Sequence, residues 1–220
     1  MVIYFTQKMV RDNHNQACDS LEQNYLDYFL MHPLTPKNTV FIPVPNHLKH
    51  AKTLFDTIPP RLIIFTGGNN LNPKDLGQSL EIDDLAPARD EVERFLYQKA
   101  INQKIPLMGI CRGFQHINVL SGGRVSFHLE NHPPAQPHDV VYEAKTYRVN
   151  SYHNHGVMTY DVAHTLKPIV LPPNQQIVEA YISQTEPTIL GLQWHPERPH
   201  TSETLFTLLY ETFLKQAHMI

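Results

Sequence analysis

A cysteine framed by glycines carries the clearest chemical signal in the chain. Gly109-Ile110-Cys111-Arg112-Gly113 is a G-x-C-x-G run, set between an apolar segment at 106–110 and a segment of helical spacing at 112–120. A strand that turns sharply into a helix needs small residues two positions to either side of the turn's centre. The central side chain is then pushed out at the carboxyl end of a sheet. A thiol there faces the positive end of a helix dipole, which favours thiolate over thiol. Cys111 is therefore a candidate nucleophile, and the competing reading is a buried, inert thiol beside two incidental glycines. Cys18 has no glycine frame and reads as packing or as a surface thiol.

A thiol nucleophile needs a base, and the base needs a group that orients it. Gly191-Leu192-Gln193-Trp194-His195-Pro196-Glu197 supplies both types. His195 and Glu197 are two apart at the end of an apolar strand, so they share a face, and Pro196 stiffens the link. Alone, this run reads as an exposed His-Pro-Glu turn; with Cys111 it completes a Cys–His–Glu constellation. The turn Gly67-Gly68, after the apolar run 62–65, adds backbone N–H groups that could face the same cleft. One of them, with the Arg112 N–H group, would then make an oxyanion hole; the alternative is a plain tight turn.

Regular elements must hold these pieces together. Strands are predicted at 2–6, 39–44, 62–65 and 106–110, and helices at 17–31, 89–102 and 112–120, with a loop at 69–88. On the 89–102 helix, Val92, Phe95, Leu96 and Ala100 form the apolar stripe, and Arg89, Glu93, Arg94 and Lys99 form the polar face. After residue 139 the pattern turns β-rich, at 140–143, 146–149, 177–182 and 188–194, before an amphipathic helix at 202–215. Strand–helix alternation over the first half points to an α/β fold with a parallel central sheet. The later strands either extend that sheet or form an antiparallel ribbon on it.

Composition narrows the function classes. The 220 residues suit one domain, 1–220. A net charge of −3 argues against a general nucleic-acid binder, and 2 Cys cannot build a disulfide framework. No apolar run is long enough to span a membrane or to serve as a signal peptide, so a cytoplasmic location is expected. The 14 His raise the possibility of metal binding. His128 and His132 are four apart and His153 and His155 two apart, but without Cys or carboxylate ligands at a recognised zinc spacing; no metal and no cofactor is expected.

Taken together, Phe65-Thr-Gly-Gly68, Pro106-Leu-Met-Gly-Ile-Cys-Arg-Gly-Phe-Gln115 and Gly191-Leu-Gln-Trp-His-Pro-Glu197 resemble the class I glutamine amidotransferases, in that family's order and over most of the chain. Phe5-Thr-Gln-Lys8, Pro43-Val-Pro-Asn46, Arg89-Asp-Glu91, Asn118-Val-Leu-Ser-Gly-Gly123, Val149-Asn-Ser-Tyr-His153 and Val178-Glu-Ala180 are similar to the stand-alone γ-glutamyl hydrolase branch. Tyr147-Arg-Val-Asn-Ser-Tyr-His-Asn154 and the compact length resemble the γ-glutamyl-CDP-amidate hydrolases, which serve capsular phosphoramidate synthesis. The resemblance implies a three-layer, flavodoxin-like fold, mostly parallel, with helices on both faces. It also implies a thioester mechanism with Cys111, His195 and Glu197 as catalytic residues and Gly68 and Arg112 as the oxyanion hole. Gly67, Gln115, Ser151, Tyr152 and His153 would hold the glutamyl part. The expected partner is a small γ-glutamyl substrate, a nucleotide-linked one among the candidates, with no nucleic acid and no membrane. Lys8, Arg11, Arg112, Lys145, Arg148 and Arg198 are the cations that could meet a nucleotide diphosphate, though each also reads as an ordinary surface charge. γ-Glutamyl-γ-aminobutyrate, a γ-glutamyl polyamine adduct and glutamine itself are the competing substrates.

Overall fold

The computed structural model describes residues 1–129 and 136–220. Strand β1 (Val2–Thr6) leads into an antiparallel hairpin of β2 (Lys8–Arg11) and β3 (Ala17–Ser20). Helix α1 (Gln23–Met31), strand β4 (Val40–Val44), helix α2 (Leu48–Thr57) and strand β5 (Leu62–Phe65) follow. After one 3-10 turn at Pro73–Leu76 come α3 (Pro87–Gln103), β6 (Leu107–Ile110) and α4 (Arg112–Leu120). The second half holds the hairpin β7 (His138–Tyr142) and β8 (Lys145–Val149), then β9 (Val157–Met158) and β10 (Leu166–Val170). It closes with β11 (Ile177–Val178), β12 (Ala180–Ser183), β13 (Ile189–Leu192) and α5 (Glu203–Gln216).

The central sheet runs β10-β12-β13-β6-β5-β1-β4. Strands β4, β1, β5, β6 and β13 are parallel, and β12 and β10 extend the β13 edge antiparallel. In chain order the parallel strands run second, first, third, fourth, fifth, the flavodoxin-like arrangement. Alternate residues of each strand feed opposite cores, as the pleat requires. Ile3, Phe5, Leu62, Ile64, Met108 and Ile110 pack with α1 and α5 through Phe29, Leu205, Phe206 and Leu209. Tyr4, Ile63, Phe65 and Leu107 pack with α2, α3 and α4 through Phe55, Val92, Leu96 and Phe114. The expected three-layer α/β fold is present. Among the described residues no helix is long and apolar enough to cross a membrane.

Several local expectations are corrected. The segment 17–31 is not one helix: Ala17–Ser20 pairs with Lys8–Arg11, and Asp19 accepts hydrogen bonds from the Asn46 backbone and side chain, so the helix begins only at Gln23. Helix α3 starts at Pro87, two residues earlier than predicted, because proline is already set for the first helical position. Arg89 and Glu93 do not face water; both are fully buried. Helix α2 and strand β10 were not predicted. The 177–182 run divides at Glu179, with β11 pairing β9 and β12 joining the main sheet. Both readings of the late strands hold, since β12 and β13 extend the sheet while β7 and β8 form a separate ribbon.

Candidate active site

Cys111 lies at the junction of β6 and α4 with φ 53° and ψ −106°, a backbone conformation that costs strain in a non-glycine residue. The flanking glycines make the junction possible. A Cβ on Gly113 would stand 2.1 Å from the Phe65 carbonyl oxygen, and one on Gly109 would stand 2.6 Å from the Gly113 backbone. The elbow is tied to the strand that delivers the base, because the Cys111 N–H donates to the Leu192 carbonyl at 2.8 Å. Three residues beyond Leu192, His195 reaches the cysteine.

His195 is buried, with its Nδ1 2.6 Å from Glu197 Oε1. The Cys111 side chain is the other group that acts on its ring. Burial alone would lower the His195 pKa, but Cys111 and then Glu197 overcome it and push the value up to about 9. The imidazolium is thus the favoured form near neutrality. Asn150 clamps the same residue by its backbone, its Oδ1 accepting from the His195 N–H at 2.9 Å and its Nδ2 donating to the carbonyl at 2.8 Å. The Tyr25 hydroxyl lies 3.4 Å from His195 Nδ1 and accepts the Gly67 N–H at 2.9 Å.

Gly68 has φ +88°, a conformation that favours glycine. Among the described residues no group accepts from the N–H of Gly68 or of Arg112, so both donors are free for a ligand. A buried ion network links the two turns that carry them. Arg89 donates to the Gly67 carbonyl at 2.8 Å, the Thr66 carbonyl at 2.6 Å and Glu93 Oε1 at 2.8 Å. Glu93 also pairs with Arg112 and with His116, and Arg112 pairs with Asp90. Burial works to raise the Glu93 carboxyl, but Arg112 and Arg89 hold it well below its usual range.

A cavity of about 190 Å³ opens beside the cysteine, lined by Gly68, Arg112, Gln115, Tyr152 and His153, and also by Asn70 and Asp84. The structure therefore brings together Cys111, His195, Glu197, Gly68, Arg112, Gln115, Tyr152 and His153. Gly67 and Ser151 do not line the cavity. Gly67 instead spends its N–H on Tyr25 and its carbonyl on Arg89, and its α-carbon backs the His195 ring. Ser151 is buried. Gln115 gives its amide nitrogen to the His155 carbonyl at 2.9 Å and Gln193 Oε1 at 3.1 Å. Tyr152 stands edge-on to His195 with ring centres 5.7 Å apart.

The candidate cations separate. The Arg112 side chain is buried and paired with Asp90 and Glu93, so it is neither an open phosphate contact nor a surface charge. Arg11 donates to the Asn15 carbonyl in its hairpin, Arg148 pairs with Asp139, and Lys145 lies in the outer β7–β8 ribbon. Only Lys8 and Arg198 of the six meet beside the site, both paired with Glu22. Of the histidine pairs, His132 lies outside the described residues. His153 Nδ1–H donates to the His155 carbonyl, and His155 Nδ1 accepts from the His128 backbone.

Tyr25, Asn150, Arg89 and Glu93 were not anticipated as site-supporting residues.

The family model described as Peptidase C26 matches residues 2–145 and 137–197. The γ-glutamyl-γ-aminobutyrate hydrolase PuuD of Escherichia coli strain K12 is 26% identical, over 90% of this chain and 86% of that one. A γ-glutamyl-CDP-amidate hydrolase of Campylobacter jejuni is 30% identical over 63% of this chain and 62% of its own. The crystal structure of a glutamine amidotransferase from Thermotoga maritima superposes with a TM-score of 0.60 at 16% identity, covering 100% of this chain and 86% of that one.

Proposed function

Because the chain belongs to the Peptidase C26 family, we propose that it hydrolyses γ-glutamyl amides through a thioester on Cys111, residues 1–220 working as one unit. The observation that supports this reading is the buried His195, held by Glu197 at 2.6 Å beside the Cys111 elbow, with its pKa raised by Cys111 and Glu197. The Cys111 sulfur attacks the γ-carbonyl carbon, and the carbonyl electron pair moves onto oxygen beside the Gly68 and Arg112 N–H groups. As the pair returns, the C–N bond breaks and the imidazolium gives its proton to the departing nitrogen. A water then yields a proton to His195 and attacks the thioester, the thiolate leaves, and glutamate is released. Gln115 and His153 face the glutamyl part within the cavity.

The finer substrate assignment is γ-glutamyl-CDP-amidate, supported by the partial match to the Campylobacter jejuni enzyme. γ-Glutamyl-γ-aminobutyrate is supported by the longer match to PuuD. The two free cysteines suit a reducing compartment, in keeping with a cytoplasmic enzyme.

Turnover of γ-glutamyl-CDP-amidate, γ-glutamyl-γ-aminobutyrate and glutamine tests the reading. Wild type should release glutamate and accumulate a mass increment of one γ-glutamyl group on Cys111, and Cys111→Ala should do neither while keeping the fold. Near-normal release by Cys111→Ala would sink the thioester mechanism. Preference for either of the other two amides would remove the CDP-amidate assignment.

A further inference from the structure

Three charged side chains from separate elements meet at the rim of the site: Lys8 at the start of β2, Glu22 just before α1, and Arg198 three residues after His195. Lys8 Nζ lies 2.9 Å from Glu22 Oε1, and Arg198 NH2 lies 3.2 Å and 3.0 Å from the two Glu22 oxygens. All are partly open to water, with side chains 30%, 31% and 22% exposed. Partly exposed ion pairs contribute little to stability, so folding alone gives small reason to assemble them here.

Their position is particular. The Lys8 stem crosses over Gly68, close enough that a Cβ on that glycine would stand 2.8 Å from the Lys8 Cβ. The Arg198 guanidinium lies 4.7 Å above the Tyr152 ring centre, and Tyr152 in turn meets His195. His195 hands its proton to the departing nitrogen, so the leaving group must depart on the His195 side of Cys111. Tyr152, in ring contact with His195, and Arg198, over the Tyr152 ring, are on that side. Two cations share the Glu22 carboxylate, and the second acid near them, Glu197, is held by His195 at 2.6 Å, so Lys8 and Arg198 carry one positive charge beyond what Glu22 offsets. Among the described residues Glu22 takes one of the three N–H donors of Lys8. The Arg198 Nε faces Glu197 Oε1 at 3.8 Å, so the cluster also touches the acid of the catalytic line.

We propose that Lys8 and Arg198, bridged by Glu22, form an anion subsite for the leaving group, which selects γ-glutamyl amides whose amine carries a carboxylate or a phosphate. The proposal rests on the γ-glutamyl hydrolase reading. Neutral amines gain nothing at this rim, and an amine with a second cationic group is repelled by it.

The test uses γ-glutamyl amides of matched chain length whose amine part ends in a methyl, a carboxylate, a phosphate or an ammonium group. Their kcat/KM is measured with wild type, Lys8→Met, Arg198→Met and Glu22→Gln. Their affinity is measured by calorimetry on Cys111→Ala, with and without the same substitutions. The ratio of anionic to neutral substrate should fall about tenfold in Lys8→Met or Arg198→Met, the loss of one charge-assisted contact. It should rise in Glu22→Gln, where the net positive charge grows, and added salt should shrink all of these differences. Carboxylate and phosphate arms of unequal size would identify which anion the subsite is built for. Equal loss on neutral and anionic amides, or a ratio unmoved by all three substitutions, would overturn the proposal. A charge preference in binding to Cys111→Ala without any wild-type turnover would overturn the hydrolase reading and leave the subsite standing.

Discussion

His195 is the residue on which the chemistry turns, and its protonation depends on two neighbours that act against burial. Removing the Glu197 charge withdraws one of them. In Glu197→Gln the alkaline limb of kcat/KM, expected as pH rises through about 9 in wild type, should move to lower pH. Turnover should drop on the order of 10²-fold or more as the base loses its orienting acid. Rate measurements across pH check this, and an unmoved limb would show that Glu197 does not tune His195. Tyr25 acts one step further away. Its hydroxyl accepts the buried Gly67 N–H and approaches His195 Nδ1. Tyr25→Phe leaves that N–H unsatisfied, at a cost of about 1–3 kcal/mol. The turn that presents the Gly68 N–H loosens with it. A lower melting temperature together with a larger loss in kcat than change in KM is the expected result; unchanged values of all three would refute it.

Helix α3 shows how an element far from the thiol sets its surroundings. Arg89 and Glu93 leave the helix on its buried side and bind the Gly67 turn and Arg112 at once. Glu93→Gln strips the network of its central charge, leaving the buried Arg89 without a counter-charge and Arg112 with Asp90 alone. The expected loss is about 3–5 kcal/mol, read by denaturant unfolding, and a loss below that of an ordinary surface substitution would count against the network. The same helix marks the limit of what the sequence could reveal. Gly109, Cys111, Gly113, His195 and Glu197 announce themselves because local backbone geometry demands those residue types at those spacings. Arg89 and Glu93 carry no such mark, since a charged i,i+4 pair looks alike whether it faces water or a buried guanidinium from another helix. Asn150 and Tyr25 are equally silent, because their partners lie 45 and 170 residues away along the chain. The 17–31 segment misleads for a different, local reason. Its first residues pair with Lys8–Arg11 through the short turn at Asp12–Gln16, a local hairpin that competes with the helical spacing.

The sheet order decides where everything converges. The reversal between β1 and β5 opens a crevice at the carboxyl ends of the strands. Thr6, Thr66 and Cys111 all stand at those ends, and β13, hydrogen-bonded to β6, carries His195 to the same edge. That convergence also buries histidines in opposed electrostatic settings, which couples the stability of the whole fold to pH. Burial holds His32 and His116 below the ordinary 6.5, and holds His155, with His128 nearby, down at about 4. As pH falls below about 6.5 the unfolded chain takes up protons on these residues that the fold refuses, so stability falls. Against burial, Glu179 holds His138 up, and Cys111 and Glu197 hold His195 up at about 9. As pH rises from about 6.5 the fold retains protons that the unfolded chain has released, so stability falls again, down to the level reached above about 9. The histidine contribution therefore peaks near pH 6.5. Thermal melts from pH 4.5 to 9.5 should show the maximum there. The alkaline decline should flatten in Cys111→Ala, because the largest force raising His195 is gone. An optimum above pH 8, or an alkaline limb that Cys111→Ala leaves intact, would break the link between the catalytic pair and the stability of the fold.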